Sequence, residues 1–247
     1  MRAPAVTPIT TVTTMAETIL YDLLSWMSPS WPVGAFAHSS GLEWAVEDGL
    51  VTDRAATQAW LFDWITHGGG WSDAVLFVFA HAAAESRDRA ALLEIAELAA
   101  ALQTTAERRV EATAQGAAFR RIARSTAPCE ALALLDDVED QDLAYPVAVA
   151  CLTAGHGAPV SAALTAYLHG VVANLASAAQ RLIPLGQTDG QLVIAGLRAA
   201  VSDAVARAVA LRDERGGALF DCLGTASFMT DIASMAHETQ YTRLFRT

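Results

Sequence analysis

Residues 143–180 contain no Asp, Glu, Lys or Arg. A run of this length without charge either crosses a membrane or lies in a protein core. A membrane helix needs about 20 mostly apolar residues without interruption. Here Gly155-His156-Gly157 and Pro159 break the run, and its second part carries His169, Asn174, Ser177 and Gln180. Alanine rather than leucine supplies the apolarity, which weakens any candidate span. The stretch is therefore read as two buried helices and not as a membrane segment. Ala162, Ala166 and Gly170 recur every four residues, so one face of the second helix is small enough for close helix contact. That face suits either the domain core or a homodimer seam.

The rest of the chain is also written for helices. Hydrophobic residues make up 53% of the 247, and much of that is alanine, the best helix former. No alternating polar/apolar run is long enough to seed a sheet. A first helix is expected from Met15 to Met27, with Ile19, Leu20, Leu23, Leu24 and Met27 on one face. A Pro/Gly loop follows, then a short helix to Glu47 with Gly49 at its end. Thr52 or Asp53 caps a third helix carrying Trp60, Leu61, Trp64 and Ile65, which Gly68-Gly69-Gly70 ends. Ser72 or Asp73 starts a fourth. A helix-rich stretch runs from Arg87 to Arg124, followed by a short helix after Pro128 and an acidic loop. The loop holds Asp136, Asp137, Glu139, Asp140 and Asp142, and like charges in a block are expected to stay solvated. Thr188-x-x-Gln191 reads as a capping box opening a helix with Ile194, Leu197, Val201 and Val205 on its apolar stripe. That helix should stop near Gly216-Gly217. The expectation is an all-α protein: a mobile leader over 1–14, one multi-helix domain over 15–236 and a distinct C-terminal tail over 237–247.

Charge excludes several functions. There are 27 acids against 16 bases, for a net charge of −11, and every base is arginine. Without lysine there is no P-loop and no Schiff-base or pyridoxal chemistry. So acidic a chain is unsuited to nucleic acid, where phosphate neutralisation dominates affinity. Cys129, Cys151 and Cys222 are far apart and form no CxxC pair, which removes zinc-ribbon and thioredoxin readings. Reduced thiols in a cytoplasmic chain are the plain reading. Residues 1–14 lack the apolar stretch of a signal peptide.

Two chemical readings compete with a binding role. Ala37-His38-Ser39-Ser40-Gly41 resembles a weakened nucleophile elbow, and His67-Gly68-Gly69-Gly70 an oxyanion-hole run. An elbow sits between a strand and a helix, and no sheet is indicated, so a serine hydrolase using Ser39 is the weaker reading. The six histidines, His38, His67, His81, His156, His169 and His237, show no HxH, HxxxH or HExxH spacing. A nickel buffer built from them would have to be assembled in three dimensions. No catalytic residue, resident metal site or cofactor is expected.

The six tryptophans all lie between Trp26 and Trp71. Trp31, in the Pro/Gly loop, either anchors a partner or packs the loop down. The chain end is unusual: His237, Glu238, Gln240, Tyr241, Arg243, Leu244, Phe245 and Arg246 include types enriched at interface hot spots. Either this tail docks on its own domain or it becomes ordered on a partner.

Three blocks together resemble the urease accessory protein F (UreF) family. They are Ser28-Pro-Ser-Trp-Pro-Val-Gly-Ala-Phe-Ala-His-Ser-Ser-Gly-Leu-Glu43, the segment Asn174–Gln191 with its core Arg181-Leu-Ile-Pro-Leu-Gly-Gln-Thr-Asp-Gly-Gln191, and Asp231-Ile-Ala-Ser-Met with the closing His237-Glu-Thr-Gln-Tyr-Thr-Arg-Leu-Phe-Arg246. Departures fall at His38, Ser40 and Thr247. The resemblance implies an all-α homodimer in urease maturation. It would bridge the UreD protein (UreH in some organisms) and the nickel-carrying GTPase UreG, delivering nickel to apo-urease. It implies that the segment matching 237–246 contributes to UreD/UreH binding. Pro32 and Gly34 read as loop-shaping. With Glu43, Arg181, Pro184, Gln187, Asp189 and Gln191, they are structural residues or partner contacts. We place the dimer seam on the 160–182 helix.

Overall fold

The computed structural model describes residues 10–215 and 219–247. Of the expected leader, residues 1–9 lie outside the described residues, while α1 (Thr10–Trp26) already begins at Thr10. Helices α2 (Leu42–Glu47), α3 (Arg54–His67), α4 (Gly69–Glu85), α5 (Arg89–Ala101), α6 (Ala106–Thr126) and α7 (Glu130–Ala133) follow. Then come α8 (Tyr145–Gly155), α9 (Val160–Leu182), α10 (Gln187–Gly196), α11 (Arg198–Arg215) and α12 (Phe228–His237). The described residues contain no strand.

The uncharged run is indeed two helices. Every residue of α8 from Pro146 to Ala154 is buried, and α4 and α6 pack against it most extensively. The turn out of α8 uses Gly157 at φ +73°, and Pro159 precedes α9. Helix α9 is long and apolar enough to span a membrane, but half of it is buried inside this domain. It is a core helix. At Gly170 its small face is covered from within the chain: a Cβ there would lie 3.4 Å from the Met27 carbonyl oxygen. Gly116 plays the same role more tightly, since a Cβ would fall 2.0 Å from the Leu143 carbonyl oxygen. Helix α6 thus presses directly on the entry to α8.

Local signals explain most boundaries. Asp53, not Thr52, caps α3, its Oδ1 accepting from the Ala56 N–H at 2.8 Å. Gly49 leaves α2 at φ +79°. Several expectations are corrected. The glycine run does not separate α3 from a helix beginning at Ser72 or Asp73. Only Gly68 stands between them, and α4 starts at Gly69. A Cβ on Gly70 would sit 2.6 Å from the Trp64 ring, so glycine lets α4 fold back onto α3. Thr188 is not a cap either. Helix α10 starts at Gln187, and the Asp189 carboxylate accepts from the Gly186 N–H at 3.3 Å. The expected single helix after it breaks at Leu197, and α11 carries Val201 and Val205 into the core. Residues Gly216 and Gly217 lie outside the described residues. In α1, Leu23 and Trp26 are buried but Leu20 and Leu24 are exposed, because α1 leans chiefly on α9.

The acidic loop is pinned as well as wet. Arg120, itself buried, donates to the Leu135 and Val138 carbonyls at 2.7 Å and pairs with Asp140. Arg124 pairs with Asp136, Arg89 with Asp137 at 2.6 Å and Arg109 with Asp142 at 2.9 Å. The exposed pairs contribute little each. The buried Arg120, satisfying two loop carbonyls, fixes the loop's path.

Candidate interaction site

The C-terminal segment is strapped onto the domain by a buried polar network. It begins in the turn before α2, where Ser40 (φ +56°) and Gly41 (φ +81°) are both left-handed. A Cβ on Gly41 would fall 2.7 Å from the Ser234 nitrogen, so glycine is required for α12 to pack there. One turn on, Glu43 is buried and its carboxylate accepts from the Leu244 N–H at 2.5 Å and the Phe245 N–H at 2.8 Å. The fully buried His237 lies between two carboxylates: Nε2 is 3.1 Å from Glu43 and Nδ1 is 2.6 Å from Glu107. Arg243 reaches Glu107 at 2.7 Å. Glu238 accepts from the Ala106 N–H at 3.1 Å, at the start of α6, and Gln240 donates to Glu47 at 2.8 Å. The Arg246 N–H donates to the Ala37 carbonyl at 2.8 Å.

Deeper in, the partly buried Arg108 donates to Ser40 at 2.6 Å and Glu111 at 2.9 Å. Burial works against its charge, but Glu111 and Asp73 beside it hold the guanidinium more firmly protonated than usual. Burial pushes the Asp73 carboxyl up to about 6, with Arg108 opposing, and Asp73 accepts a 2.7 Å bond from Tyr167. Burial also lowers the pKa of His38, whose Nδ1 meets the Thr247 hydroxyl at 2.8 Å.

This arrangement decides between the two readings of the tail's structure. It docks on its own domain, with His237, Phe245 and Thr247 buried. Tyr241 and Leu244 remain outside, 102% and 64% exposed, and Arg246 is exposed too. Glu43 is an internal anchor, bonded to the tail backbone and to His237. Of the other candidates, Pro32, Pro184, Gln187 and Gln191 are exposed, and Gly34 turns the loop at φ +78°. Asp189 caps α10 and faces Arg54 at 3.9 Å. Trp31 packs against Phe119 with ring centroids 5.8 Å apart. Arg181 stacks on Phe245 and Glu43 anchors the tail backbone, so these two candidates join the tail, whereas Gln187, Asp189 and Gln191 belong to α10.

Sequence reasoning passed over α12. Its inward face is small and polar: Thr230, Ala233, Ser234 and His237. Its outward face is apolar: Phe228, Met229, Ile232 and Met235 are 70%, 47%, 47% and 51% exposed. The spacing 228, 232, 235 carries a helical apolar stripe and would have revealed it. Exposed Tyr241 and Leu244 follow this helix in the chain.

The Ser39 hydroxyl donates to the Thr247 carbonyl at 2.9 Å and has no imidazole partner among the described residues. Those residues also contain no group of three or more His, Cys, Asp or Glu side chains able to hold a metal.

The described residues thus form an all-helical domain that straps down its C-terminal segment and turns an apolar helix face outward. Comparison with known proteins supplies the family. Residues 51–198 match the UreF family. The chain is 47% identical over 245 residues to the urease accessory protein UreF of Rhodopseudomonas palustris strain BisB5, covering 99% of this chain and 98% of that one. It is 49% identical over 227 residues to that of strain HaA2, with 92% and 93% covered. It is 48% identical over 237 residues to that of Bradyrhizobium sp. strain BTAi1, with 95% of each covered. The chain belongs to the UreF family of urease accessory proteins.

Proposed function

We propose that this chain is a cytoplasmic, non-enzymatic adaptor in urease maturation. It docks UreD/UreH on the outer face of α12 and on Tyr241, Leu244 and Arg246, and it engages the GTPase UreG elsewhere. The assembly then inserts nickel into apo-urease. The observation that carries this reading is the outward stripe Phe228–Ile232–Met235. Exposed apolar stripes of this kind are costly unless covered. The buried strap supports it further by holding the tail in place before a partner arrives, which reduces the ordering cost of binding.

Lacking the P-loop lysine, the chain does not supply the nucleotide site itself and biases the GTPase by binding its nucleotide states differently. We assign the homodimer seam to α9. A groove of about 760 Å³ runs there between α9 and α10–α11, with Val172, Ile194, Val201 and Val205 among its lining residues. Neither nucleic acid nor a membrane is a partner in this reading.

The test is titration of purified UreD/UreH with the wild-type chain and with Ile232→Asp. The variant should lose about 100-fold in affinity, as expected for a charge placed in an interface core, and keep its helical circular dichroism. Unchanged affinity would overturn the assignment of this face.

A further inference from the structure

One arginine in this chain is prepared for an acceptor that the chain does not supply. Arg181 sits in the last turn of α9. Its guanidinium carbon lies 3.7 Å from the centroid of the Phe36 ring and 4.3 Å from that of Phe245. The guanidinium therefore lies over both rings. Nη1 donates to the Phe36 carbonyl at 2.8 Å and Nε to the Ser177 carbonyl at 3.3 Å. Nη2 is buried and has no hydrogen-bond partner among the described residues.

Most of the described arginines behave otherwise. Arg54, Arg87, Arg89, Arg108, Arg109, Arg120, Arg124, Arg207 and Arg243 each pair with a carboxylate. Arg181 pairs with none among the described residues, and partial burial lowers its pKa. A buried donor left unmade is costly, and buried groups of this kind are normally satisfied.

The cover over Arg181 is light. Phe36 is 68% exposed and belongs to a 3-10 turn, Ala35–Ala37, in which no residue is buried. Arg246, exposed and fixed beside Ala37 by its backbone bond, adds a second positive charge. We propose that Arg181, covered by Phe36 and flanked by Arg246, receives an Asp or Glu side chain of a protein partner, the Phe36 ring turning aside as the carboxylate reaches Nη2.

The surroundings of Arg181 favour a single protein carboxylate over a phosphate. Only one guanidinium nitrogen is free, the surroundings are aromatic, and a net charge of −11 repels a polyanion. A guanidinium stacked over rings is already oriented, so little freedom is lost on pairing.

The choice of partner rests on the adaptor reading above. The full-length chain is titrated separately against UreD/UreH and against UreG, as wild type, Arg181→Glu, Arg181→Lys and Phe36→Ala, with thermal melts as the control for folding. Arg181→Glu should weaken one partner about 100-fold and Arg181→Lys about 10-fold, since lysine loses the planar fork. The other partner should be unaffected. Reversing one acidic residue of the weakened partner to arginine should then restore binding to Arg181→Glu, which a merely structural role would not allow. Arg181 variants that bind both partners like the wild type would overturn the proposal, as would failure of every acid reversal to rescue. A wild-type chain that binds neither partner would overturn the adaptor reading and this assignment together.

Discussion

Helices α8 and α12 solve opposite problems. All of α8 from Pro146 to Ala154 is buried, and it has no side to spare for anything but packing. Helix α12 buries Thr230, Ser234 and His237 and leaves Phe228, Ile232 and Met235 outside. The first is held by apolar area and close contact; the second is held by hydrogen bonds and paired charges that reach across the chain. Burying polar groups is tolerable only when each has a partner, and α12 meets that condition through Thr105, Glu43 and Glu107. Its apolar residues are thereby freed for use elsewhere. The α4–α6–α8 centre is packed on all sides, and the attachment of α12 does not consume its apolar face.

The comparison can be broken most severely at Gly116. A Cβ there meets the Leu143 and Ala144 backbone at 2.0 and 2.9 Å, and backbone cannot swing aside as a side chain can. Gly116→Ala should cost about 4 kcal/mol, above the usual overpacking range, as read by urea denaturation. Next is the strap. Glu43→Ala orphans the Leu244 and Phe245 amides and leaves His237 with one carboxylate. It should cost about 3 kcal/mol, the scale of breaking a buried pair, and should speed tryptic cleavage after Arg243. A strap cleaved no faster than in the wild type would deny Glu43 its anchoring role.

The third prediction is a gain. Folding raises the Asp73 pKa from 3.8 to about 6, so the folded state holds that proton more tightly than the unfolded chain. The group's favourable contribution is therefore present at low pH and is lost as pH rises toward and through about 6. Asp73→Asn removes the ionised form and should stabilise the protein by about 1–2 kcal/mol at pH 8. The gain should be smaller at pH 5, measured by denaturation at both values. The smallest effect belongs to Ile232→Ser, which should change stability by no more than about 0.5 kcal/mol. That near-silence in stability, set beside a loss of partner binding, would sharpen the division between α8 and α12.

The same division governs how much the sequence disclosed. The interruption at Gly155–Gly157 and Pro159 and the capping Asp53 act within a few residues, and local reasoning found the first and narrowed the second to Thr52 or Asp53. The course of the acidic loop depends on Arg89, Arg109, Arg120 and Arg124, which belong to other helices. Without the fold, only its own repulsion was visible. Glu43 and Phe245 are separated by 202 positions, so nothing local marked Glu43 as the anchor of the tail. Gly186 displaced Thr188 as the α10 cap because Asp189 sits three residues beyond it, a nearby alternative that a pattern search weighs poorly. The α12 stripe was legible by spacing alone. It was obscured because apolar helical residues are ordinarily taken to face inward.

The most direct test of the account is light-scattering chromatography of the wild-type chain and Ile232→Asp, each alone and then with UreD/UreH and UreG. The account predicts a wild-type dimer that takes up both partners. It also predicts an Ile232→Asp dimer of the same size that fails to retain UreD/UreH. A variant that assembles as the wild type does would contradict the claim that α12 turns its apolar face outward to bind.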